Sequence, residues 1–329
     1  MTRVLVTGCA GFIGMHCVRR LAERGDEIVG LDNLSPYYSV QLKRDRLALL
    51  SGYRNFRFEP LDIADADRLA ALFARERPQR VLHLAAQAGV RYSLVNPQSY
   101  VRANLVGFAN LLECCRGHPP RHLVYASSSS VYGNNAKLPW SESDAVDRPI
   151  SLYAASKRSN ELMAHAYSHL FGIPSTGLRY FTVYGPWGRP DMSPMLFADA
   201  ILRSRKIQVF NQGDMQRDFT YVDDIVEGTL RVLDRAPDGA PPYDLFNIGN
   251  HQPVALLDYI ALLERSLGRK AVLDPQPMQP GDVKATYADT TRLRAATGFV
   301  PATPLADGLD RFARWYKEYY PGGNSPSPA

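Results

Sequence analysis

Short apolar runs alternate with longer amphipathic stretches through the first 180 residues, and that alternation predicts strands and helices in turn. Residues 3–7 (Arg-Val-Leu-Val-Thr) are suited to a parallel strand buried on both faces. The glycine-rich turn 8–14 leads into a helical stretch running to Leu21. Residues 27–31 predict a second strand ending in Asp32, and 56–61 a third ending at Asp62 and Ile63. A helix is expected over 64–77, a strand over 80–86, and a long helix carrying Asn104 after Asn96-Pro97. Residues 122–126 predict the strand that delivers four successive serines, Ser127 to Ser130, and 173–180 predict one more. This βαβ rhythm predicts an α/β fold with a doubly wound parallel sheet.

After Gly185 the pattern changes. Pro186, Trp187, Gly188, Arg189 and Pro190 make a rigid, non-helical segment, and proline recurs around 275–282 and 300–304. A smaller mixed α/β lobe is expected over 181–320, with roughly 218–250 returning to the first domain, 1–180. Residues 321–329 lack apolar anchors and are expected to be disordered.

At 329 residues, 45% hydrophobic and 22% charged, the chain suits one large globular domain plus a lobe. No run of eighteen apolar residues is present, so no membrane partner is expected. The first strand begins at residue 3, leaving no room for a signal peptide, and a cytoplasmic location is expected. The net charge is +5, but Lys and Arg are scattered, which suits an anionic small molecule better than nucleic acid. Cys9, Cys17 and the adjacent Cys114 and Cys115 lack zinc-ligand spacing. His165 and His169 fall four apart on a helix without a third ligand nearby, so no metal is expected.

Two motifs carry chemistry. The first is Gly8-x-x-Gly11-x-x-Gly14 between a strand and a helix. Glycines there permit a tight turn, close approach of a pyrophosphate and close helix–strand packing, the pattern of a Rossmann dinucleotide site. Asp32 at the next strand end would accept the ribose hydroxyls of NAD and repel the extra phosphate of NADP. The second is Tyr153-x-x-x-Lys157, a phenol and an ammonium one helical turn apart. The ammonium is expected to lower the phenol pKa from its usual ~10. A serine hydroxyl from the 127–130 run would complete a proton relay to a substrate alcohol.

Together these motifs resemble the extended short-chain dehydrogenase/reductase superfamily. Four stretches are similar to nucleotide-sugar epimerases, in particular UDP-glucuronate 4-epimerases: 86–92, 127–133, 179–192 and 217–224. The resemblance implies C4 epimerisation of UDP-glucuronic acid to UDP-galacturonic acid through a 4-keto sugar, on a tightly bound NAD regenerated each turn. Tyr153 would be the base, Lys157 its partner, and Ser128 or Ser130 would share the sugar 4-hydroxyl. For the cofactor it implies Gly8, Gly11, Phe12, Ile13 and Gly14, then Asp32, Asn33, Asp62 and Ile63. Leu84, Ala85, Ala86, Gln87 and Asn104 would follow, with Ser127, Tyr180 and Val183 completing that set. For the substrate it implies Arg91, Ser128, Ser129, Thr182 and Arg189, with Phe210 near uracil and Arg217 and Asp282 near the diphosphate and ribose. Thr182, with Ser127 and Ser128, is expected to receive the sugar carboxylate, and Arg189 to close over the nucleotide or the acid. Without the resemblance, Arg217 reads as a surface ion-pair partner of Asp218 or Asp224. Homodimerisation through helices around 103–115 and 152–170 is also implied.

Two alternatives stay on the same scaffold: a UDP-galactose/UDP-glucose-type 4-epimerase and a UDP-glucuronate decarboxylase. UDP-galactose epimerases usually carry Asn where Thr182 stands. Decarboxylases and 4,6-dehydratases of this kind place an acid in the serine stretch, which here has none. A non-enzymatic NAD sensor is a third class, disfavoured by the intact Tyr153 and Lys157.

Overall fold

In the computed structural model, residues 2–278 and 284–321 are described. Asp282 and all of the expected tail but Pro321 lie outside them. The first strands, β1 (Arg3–Thr7), β2 (Glu27–Asp32), β3 (Phe56–Pro60) and β4 (Arg80–His83), alternate with helices, as do β5 (His122–Ser128) and β6 (Ser175–Tyr180). The short strands β7 (Thr182–Tyr184), β8 (Lys206–Val209) and β9 (Gln216–Tyr221) follow, then β10 (Tyr243–Ile248). The last three are β11 (Pro253–Ala255), β12 (Val272–Pro275) and β13 (Ala285–Thr286).

Seven strands form one sheet in the order β10-β6-β5-β4-β1-β2-β3, every neighbouring pair parallel. Helices cover both faces, which is why Val4, Leu5 and Val6 are all buried although successive side chains point to opposite faces. The chain returns to this sheet through the Val222–Asp234 helix, packed on the Phe12–Glu23 helix, and through β10. β9 stays in a separate small sheet with β7, β11 and β13, and β8 pairs with β12. Cavity-lining positions follow β1, β2, β4 and β5 in the sequence, so the cavity opens at the carboxyl ends of the parallel strands.

The fourth strand ends at His83, short of the expected Ala86. The Leu84 amide donates to the Thr7 carbonyl (3.1 Å) and the Ala85 amide to the Thr7 hydroxyl (3.1 Å), which turns the chain across the end of β1. Gly8 makes this crossing possible: its φ is +74°, and a Cβ there would lie 2.7 Å from the Ala85 nitrogen. The expected helix after Asn96-Pro97 is one rod of three textures, with π-helical Val101–Val106 between Pro97–Tyr100 and Gly107–Gly117.

Candidate active site

The main cavity has a volume of about 560 Å³. One wall is the glycine turn. Gly8, Gly11, Phe12, Ile13 and Gly14 all line it, and the Phe12–Glu23 helix has no side-chain cap on its first turn. The free N–H groups and positive dipole end there suit a pyrophosphate. A Cβ on Gly14 would stand 2.1 Å from the Gly8 carbonyl oxygen, so the turn closes this tightly only with glycine. Asp32 lies beside it, accepting from the amides of Ala10 (3.2 Å) and Leu34 (2.8 Å). Burial raises its pKa, against the charges of Lys43 and Arg46 and those two amide bonds. Asn33, Asp62 and Ile63 line the same end, and Leu84, Ala85, Ala86 and Gln87 cross the middle. This cradle fits a dinucleotide: a narrow glycine wall, a helix N-terminus and a carboxylate for ribose hydroxyls.

The reacting end is built on the Leu152–Phe171 helix, capped by the Ser151 hydroxyl on the Ala154 amide (3.1 Å) and closed by left-handed Gly172. Tyr153 and Lys157 both face the cavity. The Lys157 ammonium donates to the Ala126 carbonyl (2.8 Å), and burial lowers its pKa to about 8. The expected depression of the Tyr153 pKa is not found. Burial raises it, opposed by a hydrogen bond from Ser128 and the charge of Arg189, and Lys157 does not contribute. The physical reason is that desolvating a phenolate costs more than these neighbours return.

The four serines divide. The Ser128 and Ser130 hydroxyls pair at 2.7 Å beside Tyr153, and Ser129 also lines the cavity. Ser127 lines it too, but its hydroxyl donates to the Glu161 carboxylate (2.6 Å) and is committed there. That leaves Ser128 and Thr182 of the set expected to take a carboxylate. Thr182, Tyr180 and Val183 line the cavity where β6 passes to β7. Arg189 lines it as well, with its Nε donating to Asp191 (3.1 Å), and Asp191 also accepts from the Tyr37 hydroxyl (2.8 Å).

Several expected residues stand elsewhere. Asn104 is buried and does not line the cavity. Its amide oxygen accepts from the Gln87 amide (2.8 Å), and its nitrogen donates to the Gln87 carbonyl (3.0 Å) and Ser156 (2.9 Å). It braces the loop beneath the cofactor cradle, since both its amide hydrogens are already used. Arg91 and Phe210 pair with each other, the guanidinium 5.6 Å from the ring centre, outside the main cavity. Arg217 donates to the carbonyls of Gln216 (2.8 Å) and Lys284 (3.2 Å). Its suggested ion-pair partners are engaged: Asp218 holds the amides of Asn250, His251 and Ala288, and Asp224 those of Ala302 and Thr303. Lys43, Arg46 and Glu161 are missed by the sequence because charged residues on helices read as solvated and only burial marks them out, and Tyr37 and Asp191 because only the fold brings them beside Arg189.

The family model for the NAD dependent epimerase/dehydratase family matches residues 4–249. The chain belongs to this family. It is 48% identical over 97% of its length to UDP-glucuronate 4-epimerase 3 of Arabidopsis thaliana, covering 77% of that protein. It is 45% identical over 97% of its length to a probable UDP-glucuronate 4-epimerase of Rhizobium meliloti, covering 98% of it. Its fold matches the crystal structure of UDP-glucuronic acid 4-epimerase from Bacillus cereus in complex with UDP-glucuronic acid and NAD. The TM-score is 0.90 at 34% identity, covering 97% of this chain and all of that one. The family's extended short-chain dehydrogenase/reductase architecture accounts for the seven-stranded parallel sheet. Among the described residues no helix is long and apolar enough to cross a membrane, and no three potential metal ligands cluster.

Proposed function

We propose that this chain is an NAD-dependent UDP-glucuronate 4-epimerase, interconverting UDP-glucuronic and UDP-galacturonic acids. The observation that carries this reading is the company Tyr153 keeps: Ser128 and Thr182 share its cavity, and no carboxylate near it is free to move a proton at C5. The acids that line the cavity among the described residues are Asp32 and Asp62, at the ends of β2 and beyond β3. β2 stands three strand spacings from β5, roughly 14 Å at ~4.8 Å each. Two carboxylates lie closer but are engaged: Glu161 is sealed behind Ser127 with both oxygens paired, and Asp191, whose charge reaches Tyr153, is held by Arg189 and Tyr37. A decarboxylase or dehydratase lacks its acid here.

Bound NAD supplies the hydride acceptor and donor at C4. Gly8, Gly11 and Gly14 would admit its pyrophosphate, Asp32 would accept its ribose hydroxyls, and Lys157 would hydrogen-bond the ribose nearer the reacting end. Tyr153 takes the proton from the 4-hydroxyl, with Ser128 sharing that hydrogen bond. The 4-keto sugar then turns over in the pocket, and Tyr153 returns the proton on the opposite face. Binding the nucleotide rather than the sugar leaves the sugar free to turn; Arg189, Phe210 and Arg217 are assigned to that grip, together with Arg91 and Asp282.

The oxidised sugar is a β-keto acid, which loses carbon dioxide when its carboxylate leaves the ketone plane. Ser128 and Thr182 hold it near that plane. Replacing Thr182 with Val, or Ser128 with Ala, is expected to raise the share of UDP-pentose severalfold at reduced turnover. Proton NMR of the products checks this, and fully active variants with no added pentose would rule out this role for the two hydroxyls.

The direct test of the reading is UDP-glucuronic acid incubated with the purified protein and no added NAD. UDP-galacturonic acid should accumulate toward a constant ratio. An unchanged spectrum even with NAD supplied would refute the reading.

The same reading includes a cytoplasmic homodimer, paired through the helices around 103–115 and 152–170. Val106 (46% exposed), Leu162 (55%) and Leu170 (66%) leave an apolar strip on these helices that a second copy would cover. Light scattering should give twice the 36.7 kDa chain mass, and a charge at Leu162 should halve it.

A further inference from the structure

Arg46, on the Val40–Leu50 helix, is 0% exposed, and among the described residues it forms no ion pair. A buried cation outside any direct ion pair, here with the Asp32 carboxyl near enough to feel its charge, is costly unless its donors are saturated. Here all five N–H groups reach neutral oxygens. One donates to the Ala10 carbonyl (3.0 Å) inside the glycine turn and one to the Tyr38 hydroxyl (2.8 Å). The other three reach the carbonyls of Trp187 (2.7 and 3.2 Å) and Gly188 (3.1 Å). Next to these, the buried His16 ring bonds the Pro186 carbonyl (3.0 Å). That carbonyl only accepts, so His16 Nε2 carries the proton.

Three consecutive carbonyls, 186 to 188, are therefore held by side chains from two helices, Phe12–Glu23, which follows the glycine turn, and Val40–Leu50, beyond β2. The next residue is Arg189, which faces the cavity. On the other side, the Ala10 amide donates to Asp32 (3.2 Å). Three hydrogen bonds and the backbone of Ala10 thus connect Asp32 through Arg46 to Gly188, and the next peptide bond reaches Arg189.

We infer that Arg46 is a positioning residue that makes binding of NAD and of the nucleotide sugar mutually favourable. A ligand that orders the glycine turn also orders, through Arg46, the segment that carries Arg189, and the second ligand meets a smaller ordering cost. Such coupling is reciprocal, so the nucleotide must retain the cofactor as much as the cofactor recruits the nucleotide. The inference rests on the reading of this cavity as a joint NAD and UDP-sugar site.

The experiment follows exchange of bound NAD for labelled NAD in the holoenzyme, with and without saturating UDP, which cannot react. UDP is expected to slow exchange about fivefold or more in the unaltered protein, a factor within the usual range of coupling energies. In Arg46→Met the effect should fall below about twofold while UDP still binds. Arg46→Lys keeps a cation but not the fork, and should show the same loss if the Met variant does not fold. A purely structural role would lower the melting temperature of either variant yet leave the effect of UDP intact, and that result overturns the inference. So does an unaltered protein in which UDP leaves exchange unchanged. Protein that binds neither NAD nor UDP would instead overturn the reading of the cavity itself.

Discussion

Tyr153→Phe is expected to lower kcat by about 10²–10⁴-fold, the usual worth of a positioned general acid–base group. The change removes one oxygen and keeps the ring, which packs edge to face on Tyr100 at 6.1 Å. Fold, NAD retention and the KM for UDP-glucuronic acid should therefore stay within about threefold, because uniform binding is untouched while a transition-state interaction is lost. Burial raises the Tyr153 pKa, and the counterweights are the Ser128 hydrogen bond and the Arg189 charge. Because that bond favours the phenolate, Ser128→Ala should raise the Tyr153 pKa further and shift the rise of activity with pH to higher pH, not only lower its height. A Tyr153→Phe enzyme that keeps a tenth or more of its turnover would remove Tyr153 from the role of base. A chain with no turnover before or after the change would point to an NAD sensor.

The second large effect concerns stability. Glu161 lies one turn beyond Lys157 on the same helix and is almost wholly buried. Its carboxylate accepts from Arg179 twice (2.8 and 2.9 Å), from Arg158 (3.1 Å) and from Ser127 (2.6 Å). Arg179 is buried to the same degree on β6, with its guanidinium 4.8 Å from the Tyr132 ring centre. Breaking a buried pair from one side strands the other charge, so Glu161→Ala should cost about 3–5 kcal/mol. Denaturant unfolding measures that loss. Replacing both partners, Glu161→Leu with Arg179→Met, should recover much of it, since no fully buried charge is stranded and partly exposed Arg158 keeps Asp147 (3.7 Å). Activity should not recover, because the Ser127 anchor that holds the end of β5 beside Tyr153 is gone. A single substitution costing under about 1 kcal/mol would mean water reaches this pair.

How much of the site could be read along the chain follows from how far apart its parts are. Tyr153 and Lys157 share a face through a four-residue spacing, and the three glycines act within one turn. Glu161 continues that spacing but means nothing until Arg179 is brought against it from another strand. The serine run was legible as a run, not as a division of labour: Ser127 turns to Glu161 while Ser128 turns to Ser130. Asn104 sits on the expected helix but outside the cavity, and its task as a brace depends on Gln87 and Ser156.

The amino-acid sequence by itself determined the parallel sheet, the dinucleotide cradle and the tyrosine–lysine pair, because each rests on local periodicity or on glycine's lack of a side chain. Tertiary structure alone decided which charges are buried and whom they meet. Arg46 contacts Trp187 across 141 positions of chain, and on its helix it reads like its solvated neighbour Arg44. The cost of desolvation is set by what surrounds a group in space, and no local pattern carries that. The raised pKa of Tyr153 has the same origin: the lysine one turn away is visible in the sequence, and the burial that governs the phenol is not.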